Sequence, residues 1–466
     1  MMACLRLRSA AIAIALQLFL GGCASMIPAY QRPAAPVAAA YPGVPAAQDS
    51  SAAASDIEWQ DFFSDARLQR LIGAALHNNR DLRVAMLNIE QARAQLQLRR
   101  ADELPTVGIG ASGSRQPSGS GSIASVYSAG LAVTAYELDF FGRVRSLSAA
   151  ALAQYLATEE ARKNVQIALV SAVANTYLNL LADDALLALT RRTLVTREDS
   201  LKLTKLKFEV GAASELDYRQ AESLREGARA TLAQLMRQRA LDENALVLLL
   251  GQALPADLPQ GAEIGDQMLI GELPAGMPSE VLARRPDVRQ AEQQLIAANA
   301  NIGAARAAFF PKISLTGSAG TASSQLSGLF RSGSAAWSFM PQLLLPIFDS
   351  GRNQATLDVA NVNRDIALAQ YEKAIQAAFR EVADALAGRA TLGEQLRAQE
   401  AQAHAEAQRY KLADLRYRNG AASYLDVLDA QRALFAAQQA LVQVQAQQVQ
   451  NKVSLYKVLG GGWKTP

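Results

Sequence analysis

Reactive side chains are scarce along this chain of 466 residues. The only cysteines, Cys4 and Cys23, lie near its start, and the only histidines, His77 and His404, are far apart. A structural disulfide in the body is therefore excluded, and no His/Cys set is present to hold a transition metal. No nucleophile motif, metal cluster or phosphate loop occurs, which makes an enzyme the least favoured reading, with no catalytic residue and no cofactor expected. What remains is a thiol closing an apolar leader, and small and charged groups that recur at fixed spacing.

That recurrence organises the chain. Gly211-Ala212-Ala213-Ser214, followed by Leu216 and Asp217, returns 209 residues later as Gly420-Ala421-Ala422-Ser423, followed by Leu425 and Asp426. Leu138 with Gly142-Arg143 likewise returns as Ile347 with Gly351-Arg352. Upstream the offset is 206: Asp81, Arg83 and Pro105 match Asp287, Arg289 and Pro311. The change of offset places a three-residue length difference between Ser112 and Leu138, where a loop is expected. A duplicated unit of about half the chain, far longer than a solenoid repeat, predicts a pseudo-symmetric pair.

Apolar residues make up 50% of the chain and aromatic residues only 6%, so the apolar content is mostly Ala, Leu and Val, suited to long, closely packed helices. The net charge of +3 gives no electrostatic case for nucleic acid. At the N-terminus, Arg6 and Arg8 precede an apolar run from Ala10 to Leu20, too short to span a bilayer. Residues 1–22 read as a secretory signal, and Leu20-Gly21-Gly22-Cys23 resembles the lipobox of bacterial lipoproteins. The resemblance implies that Cys23 carries a diacylglycerol and an acyl chain, and that Ala24 permits sorting to the outer membrane. The Pro- and Ala-rich stretch that follows reads as an extended tether over the folded body.

The elements that must position the repeated residues can be read from periodicity. Asp81 to Ala101 has helical spacing, and Pro105 ends it. Two alternating stretches, Thr106–Gly113 and Val126–Leu138, flank a Gly/Ser loop over 114–124, and the second copy repeats this with Ile313–Thr321, a loop over 322–334 and Ala335–Leu345. Val107, Ile109 and Ala111, then Leu131, Val133 and Ala135, then Ile313, Leu315 and Gly317 fall on one face. Such alternation suits a membrane barrel, yet two hairpins cannot close one alone, because even the smallest have about eight strands. A soluble hairpin covering a core fits one such pair equally well.

Arg143 to Val210 contains neither Gly nor Pro and would reach about 100 Å as one helix. Leu180, Leu187, Leu194, Leu201 and Phe208 step by sevens, as do Leu428, Phe435, Val442, Val449 and Tyr456, which signals supercoiled packing. Both Gly-Ala-Ala-Ser segments are expected at tight helix-hairpin tips, with Gly211 or Gly420 left-handed and Ser214 or Ser423 capping the next helix. Leu425, Asp429 and Arg432 share one helix face by their i, i+4, i+7 spacing.

Several segments are individually recognisable: Tyr30-Gln31-Arg32-Pro33, Ala283-Arg284-Arg285-Pro286-Asp287, Phe310-Pro311, Pro346-Ile347-Phe348-Asp349, Arg416-Tyr417-Arg418-Asn419-Gly420 and Tyr424-Leu425-Asp426-Val427-Leu428-Asp429-Ala430-Gln431-Arg432. Together with the lipobox they resemble the outer-membrane factors of the TolC superfamily, in its OprM/NodT-type lipoprotein branch. The resemblance covers nearly the whole mature chain. It implies a mainly α fold with a membrane β-barrel: a homotrimer whose barrel of about twelve strands is continuous with a long α-helical barrel.

The division that follows is a lipid-anchored segment 23–60, a first repeat 61–251 with its β-hairpin at 106–138, and an equatorial connector 252–280. A second repeat 281–460, with its β-hairpin at 313–345, and a tail 461–466 complete it. By the same resemblance the tips Gly211, Ala212, Ala213, Ser214 and Gly420, Ala421, Ala422, Ser423 dock a periplasmic adaptor protein. Leu425, Asp426, Asp429 and Arg432 form a periplasmic gate, and Arg416, Tyr417 and Arg418 tether it shut. Only the second copy is assigned a gate, since the first has Tyr218-Arg219-Gln220-Ala221-Glu222 where the second has Val427-Leu428-Asp429-Ala430-Gln431. The implied function is the outer-membrane exit duct of a tripartite efflux pump, passive and without cofactor, fed by an inner-membrane transporter commonly of the proton-driven resistance-nodulation-division class. A type I protein-secretion duct and a structural coiled-coil lipoprotein of the periplasm are the competing readings.

Overall fold

The computed structural model describes residues 25–42, 56–117, 121–264, 269, 273 and 282–464. The signal segment 1–22, Cys23 and much of the connector 252–280 lie outside these residues. In order, the elements are α1 (Trp59–Phe62), α2 (Ala66–Asn78), α3 (Arg80–Ala101), β1 (Val107–Pro117), β2 (Ile123–Leu138), α4 (Arg143–Glu209) and α5 (Glu215–Leu250). The second half follows with α6 (Pro286–Ala307), β3 (Lys312–Ser323), β4 (Ala335–Leu344), α7 (Arg352–Arg418) and α8 (Tyr424–Val458). The strand pair and helical hairpin thus occur twice.

The chain divides into two compact units. One takes the N-terminal described residues to Ala34, Leu87–Glu160 and Arg289–Lys373. It holds the four-stranded antiparallel sheet, in the order β1-β2-β3-β4. Direct pairing of Ile109 with Leu131, Leu131 with Ala319 and Ala319 with Trp337 puts one row of side chains on one face. A bulge corrects part of the expected pattern. The register shifts between Val133 and Tyr136, Ala135 takes a φ of 53°, and Tyr136 and Leu138 pair with Leu315 and Ile313 in its stead. Ala135 therefore leaves the apolar row and Tyr136 joins it. The loop expected over 114–124 is also shorter than its composition suggests, because the ladder continues to the Pro117–Ile123 pair. Serine and glycine weaken side-chain packing but leave the backbone bonds that hold a strand pair.

In the same unit the segment after Ser25 lies along α6. Arg32 grips Glu292 with two bonds of 2.6 and 2.7 Å, Tyr30 adds a third at 3.1 Å, and Asn299 donates to the Pro28 carbonyl at 2.8 Å. Gly303 is required there, since a Cβ would meet Ile27 and Ser146 at under 3 Å.

The second unit takes residues 35–86, 161–288 and 374–466. Its core joins Phe62, Phe63, Leu71, Val173, Leu178, Leu250 and Tyr456, with the Phe62 and Tyr456 rings stacked at 4.0 Å. Arg285 is 7% exposed and is held by Asp287 at 2.6 Å, Glu381 at 2.7 Å and the Val458 carbonyl at 2.9 Å. A charge so buried is tolerated only because every side of it is paired.

The heptad reading holds for α8, where Leu428, Val449 and Tyr456 are buried, but needs amendment in α4. Leu180 and Leu187 are buried, whereas Phe208 is 38% exposed. The more deeply buried heptad stripe is polar: Asp183, Thr190, Arg197 and Thr204 are 7%, 0%, 6% and 3% exposed. A leucine stripe read from one helix cannot disclose this, because burial depends on which faces its neighbours cover.

Candidate functional site

Both tips are built by the same local chemistry. Gly211 and Gly420 have φ of 75° and 70°, and a Cβ at either would meet nothing within 4 Å, so conformation rather than space requires glycine. The Ala212 and Ala213 amides donate to the Lys207 carbonyl at 2.7 and 3.2 Å, and the Ala421 amide donates to the Arg416 carbonyl at 2.8 Å. Each turn then enters a helix through a capping box, Ser214 with Asp217 and Ser423 with Asp426. The tips are solvent-facing and leave small side chains outward, a surface that lets another backbone approach.

Asp426 behaves as a cap. Its carboxylate accepts from the Ser423 amide at 3.0 Å and the Ser423 hydroxyl at 2.9 Å, and these bonds hold its pKa below the usual carboxylate value. Leu425, Asp429 and Arg432 do share an exposed face of α8, with Leu425 52% exposed, while Val427, Leu428, Ala430 and Gln431 are buried on the opposite side. Asp429 forms an ion pair with Arg409 of α7, which also holds Glu406 at 3.2 Å. Arg409 was not legible from sequence, because nothing in the spacing of α7 marks which arginine faces α8.

Of the three expected tethering residues, Tyr417 alone reaches another helical hairpin. Its hydroxyl accepts from Lys207 Nζ of α4 at 2.9 Å, and its ring lies 5.3 Å from Tyr424. Arg416 turns back to the Ala421 carbonyl at 3.3 Å, and Arg418 pairs with Asp414 on its own helix at 2.9 Å. A further arginine emerges from the polar stripe. Arg197 donates to the Leu224 carbonyl at 2.9 Å and stacks on Phe435 with 5.1 Å to the ring centre. Burial, then the nearby Arg432, lowers its pKa from the ordinary arginine value. Arg197 thereby joins α4, α5 and α8 at one point.

The sheet carries the other functional surface. On one face Ile109, Trp337 and Phe339 are 88%, 80% and 62% exposed, a row that soluble domains rarely leave bare. The other face is mainly small and polar, interrupted by Val126, Met340 and Leu344, with cross-strand hydroxyl bonds of 2.8 Å between Ser112 and Ser128 and between Ser318 and Ser338. Apolar outside and polar inside is the pattern of a water-filled membrane barrel. Among the described residues no group of three or more His, Cys, Asp or Glu side chains is placed to hold a metal.

The sequence model of a family described as outer membrane efflux protein matches residues 71–252 and 277–461, once for each repeat. This chain belongs to the outer membrane efflux protein family. Two curated relatives from Pseudomonas putida, the antibiotic efflux pump outer membrane protein ArpC and the toluene efflux pump outer membrane protein TtgC, are each 52% identical to it over 454 residues, 95% of this chain and 93% of theirs. Among solved structures, the open state of the MtrE outer membrane channel of Neisseria gonorrhoeae superposes with a TM-score of 0.87 at 43% identity, covering 95% of this chain and 99% of that one. The efflux protein is accordingly an outer-membrane channel with this fold, and its family is one of channels rather than enzymes.

Proposed function

We propose that this efflux protein is a homotrimeric exit duct that passively conducts small toxic compounds, antibiotics and organic solvents among them, from a periplasmic adaptor and an inner-membrane transporter of the resistance-nodulation-division class. One observation carries the trimer: β1 and β4 each pair on one side only, and their backbone groups must find partners in lipid. Three such sheets joined edge to edge give about twelve strands, enough for an aqueous lumen. The substrate class rests on the antibiotic and toluene pumps to which ArpC and TtgC belong. The tips at Gly211–Ser214 and Gly420–Ser423 dock the adaptor, and Leu425, Asp429 and Arg432 of α8 form the gate, with Asp426 holding the start of that helix. A lipid on Cys23 anchors the chain beside its barrel.

The test is a gene deletion scored against a broad panel of antibiotics, dyes, solvents and metals. Raised susceptibility to several unrelated small compounds, restored by the intact gene, is the expected result. Unchanged susceptibility together with loss of one secreted protein would refute drug efflux in favour of secretion.

A further inference from the structure

The four strands carry only three charged side chains: Arg115 in β1, Glu137 in β2 and Lys312 in β3. Register sorts them between the two faces. Arg115 alternates in phase with Ile109 and so belongs to the apolar row. Lys312 alternates in phase with Ser318, and Glu137 pairs directly with Ser314, so both lie on the polar face. Every other strand residue on that face is uncharged, and at the level where Gly110, Gly130, Gly320 and Ala336 pair nothing larger than alanine projects. The polar face is electrically blank except at the end of the sheet where α4 begins.

At that end the charges do not cancel. Arg143, the first residue of α4, grips both carboxylate oxygens of Glu137 at 2.7 Å, and Lys312 Nζ reaches the same carboxylate at 3.2 Å. Two cations on one carboxylate leave one positive charge per chain. Arg145 and Asp139 beside them balance each other at 3.4 Å. The Glu137 side chain is only 12% exposed, whereas that of Lys312 is 55% exposed and borders a hollow of about 330 Å³. The anion thus sits inside the cluster and the surplus cation meets open space. The duplication does not repeat this device, since at the offsets of 206 and 209 the counterparts of Lys312 and Glu137 are Thr106 and Pro346.

We propose that Lys312 is a specificity-determining residue of the duct: with Arg143 it makes a net-positive collar at the helix end of the barrel, which favours compounds bearing an anionic group over cations of the same size. The inference rests on the reading of the polar face as the wall of a trimeric, water-filled lumen. Rings of Lys or Arg select anions in this way, and an otherwise uncharged wall leaves their field unopposed.

The experiment measures reversal potentials of the full-length trimer in planar bilayers under a KCl gradient, with chloride and potassium as the probes. It is run in the parent and in a Leu425→Ala background, which shortens a gate residue. Three charges about 10 Å from a passing ion, screened over a Debye length of about 10 Å at about 0.1 M salt, change the chloride-to-potassium permeability ratio by about fourfold. Lys312→Gln should lower the ratio by about that factor, Lys312→Glu should lower it further, and Lys312→Arg should keep the parent value. Glu137→Gln releases a second positive charge and should raise the ratio. All these differences should shrink at about 1 M salt, where the Debye length is about 3 Å. A conducting trimer whose ratio is the same in the parent, Lys312→Gln and Lys312→Glu overturns the collar and leaves the duct standing. A trimer that conducts no ions in either background overturns the duct reading, and the collar with it.

Discussion

Replacing Asp183 with asparagine isolates one buried charge in the polar stripe of α4. Asp183 is 7% exposed, faces Asp242 of α5, and its Oδ2 has no hydrogen-bond partner in the structure. Burial, then the side-chain hydrogen bond with Asp242, raises its pKa from 3.8 to about 7. Asp242 and Asp184 oppose ionisation, while Arg239, which bonds Asp184 at 2.6 Å, favours it weakly. A carboxyl whose folded pKa lies above its unfolded one binds its proton more tightly in the fold. Stability is then highest at low pH and falls as pH rises from about 3.8 to about 7, beyond which the loss is complete. The full shift corresponds to about 4 kcal/mol, reduced to about 2 kcal/mol because Asp242 is only half-buried and water relaxes the pair. The amide introduced by Asp183→Asn would donate to Asp242 at every pH and so mimic the protonated state. Thermal unfolding of the detergent-solubilised trimer should therefore show Asp183→Asn close to the parent at about pH 4 and about 2 to 4 °C more stable at about pH 8. A parent and variant with the same pH dependence would refute the reasoning, since the titrating group would lie elsewhere.

Three further outcomes follow from the same structure. Ile109→Lys on the apolar face of the sheet should cost about 2–4 kcal/mol and sharply lower the yield of heat-modifiable trimer, whereas Ser128→Lys on the polar face should leave assembly near normal. Arg285→Met should destabilise the second unit by about 3–5 kcal/mol, because Asp287 and Glu381 lose their shared partner; the melting temperature reports it. Arg409→Met should free Asp429 from its ion pair and increase cation selectivity in bilayer recordings at low salt, an effect that fades at about 1 M salt, where the Debye length is about 3 Å.

Much of this protein was written in local pattern. The duplication, the two tips with Gly211 and Gly420, the capping serines and the two long helical stretches follow from residue type and spacing, because turns, caps and helices are decided within a few residues. Alternation likewise placed Ile109 and Leu131 on one face of a sheet, since a strand repeats every two residues whatever it pairs with. The tertiary structure decided what faces what. It put Asp183, Thr190, Arg197 and Thr204, rather than the leucines alone, in the buried seam of α4. It engaged Asp426 as a cap, paired Asp429 with Arg409, and brought Lys207 to Tyr417. A bulge at Ala135 moved the apolar row by one residue, which no composition announces. The physical reason is common to all of these. Periodicity within one helix or strand fixes which residues share a face, but the partner across that face comes from another part of the chain, and only packing brings the two within bonding distance.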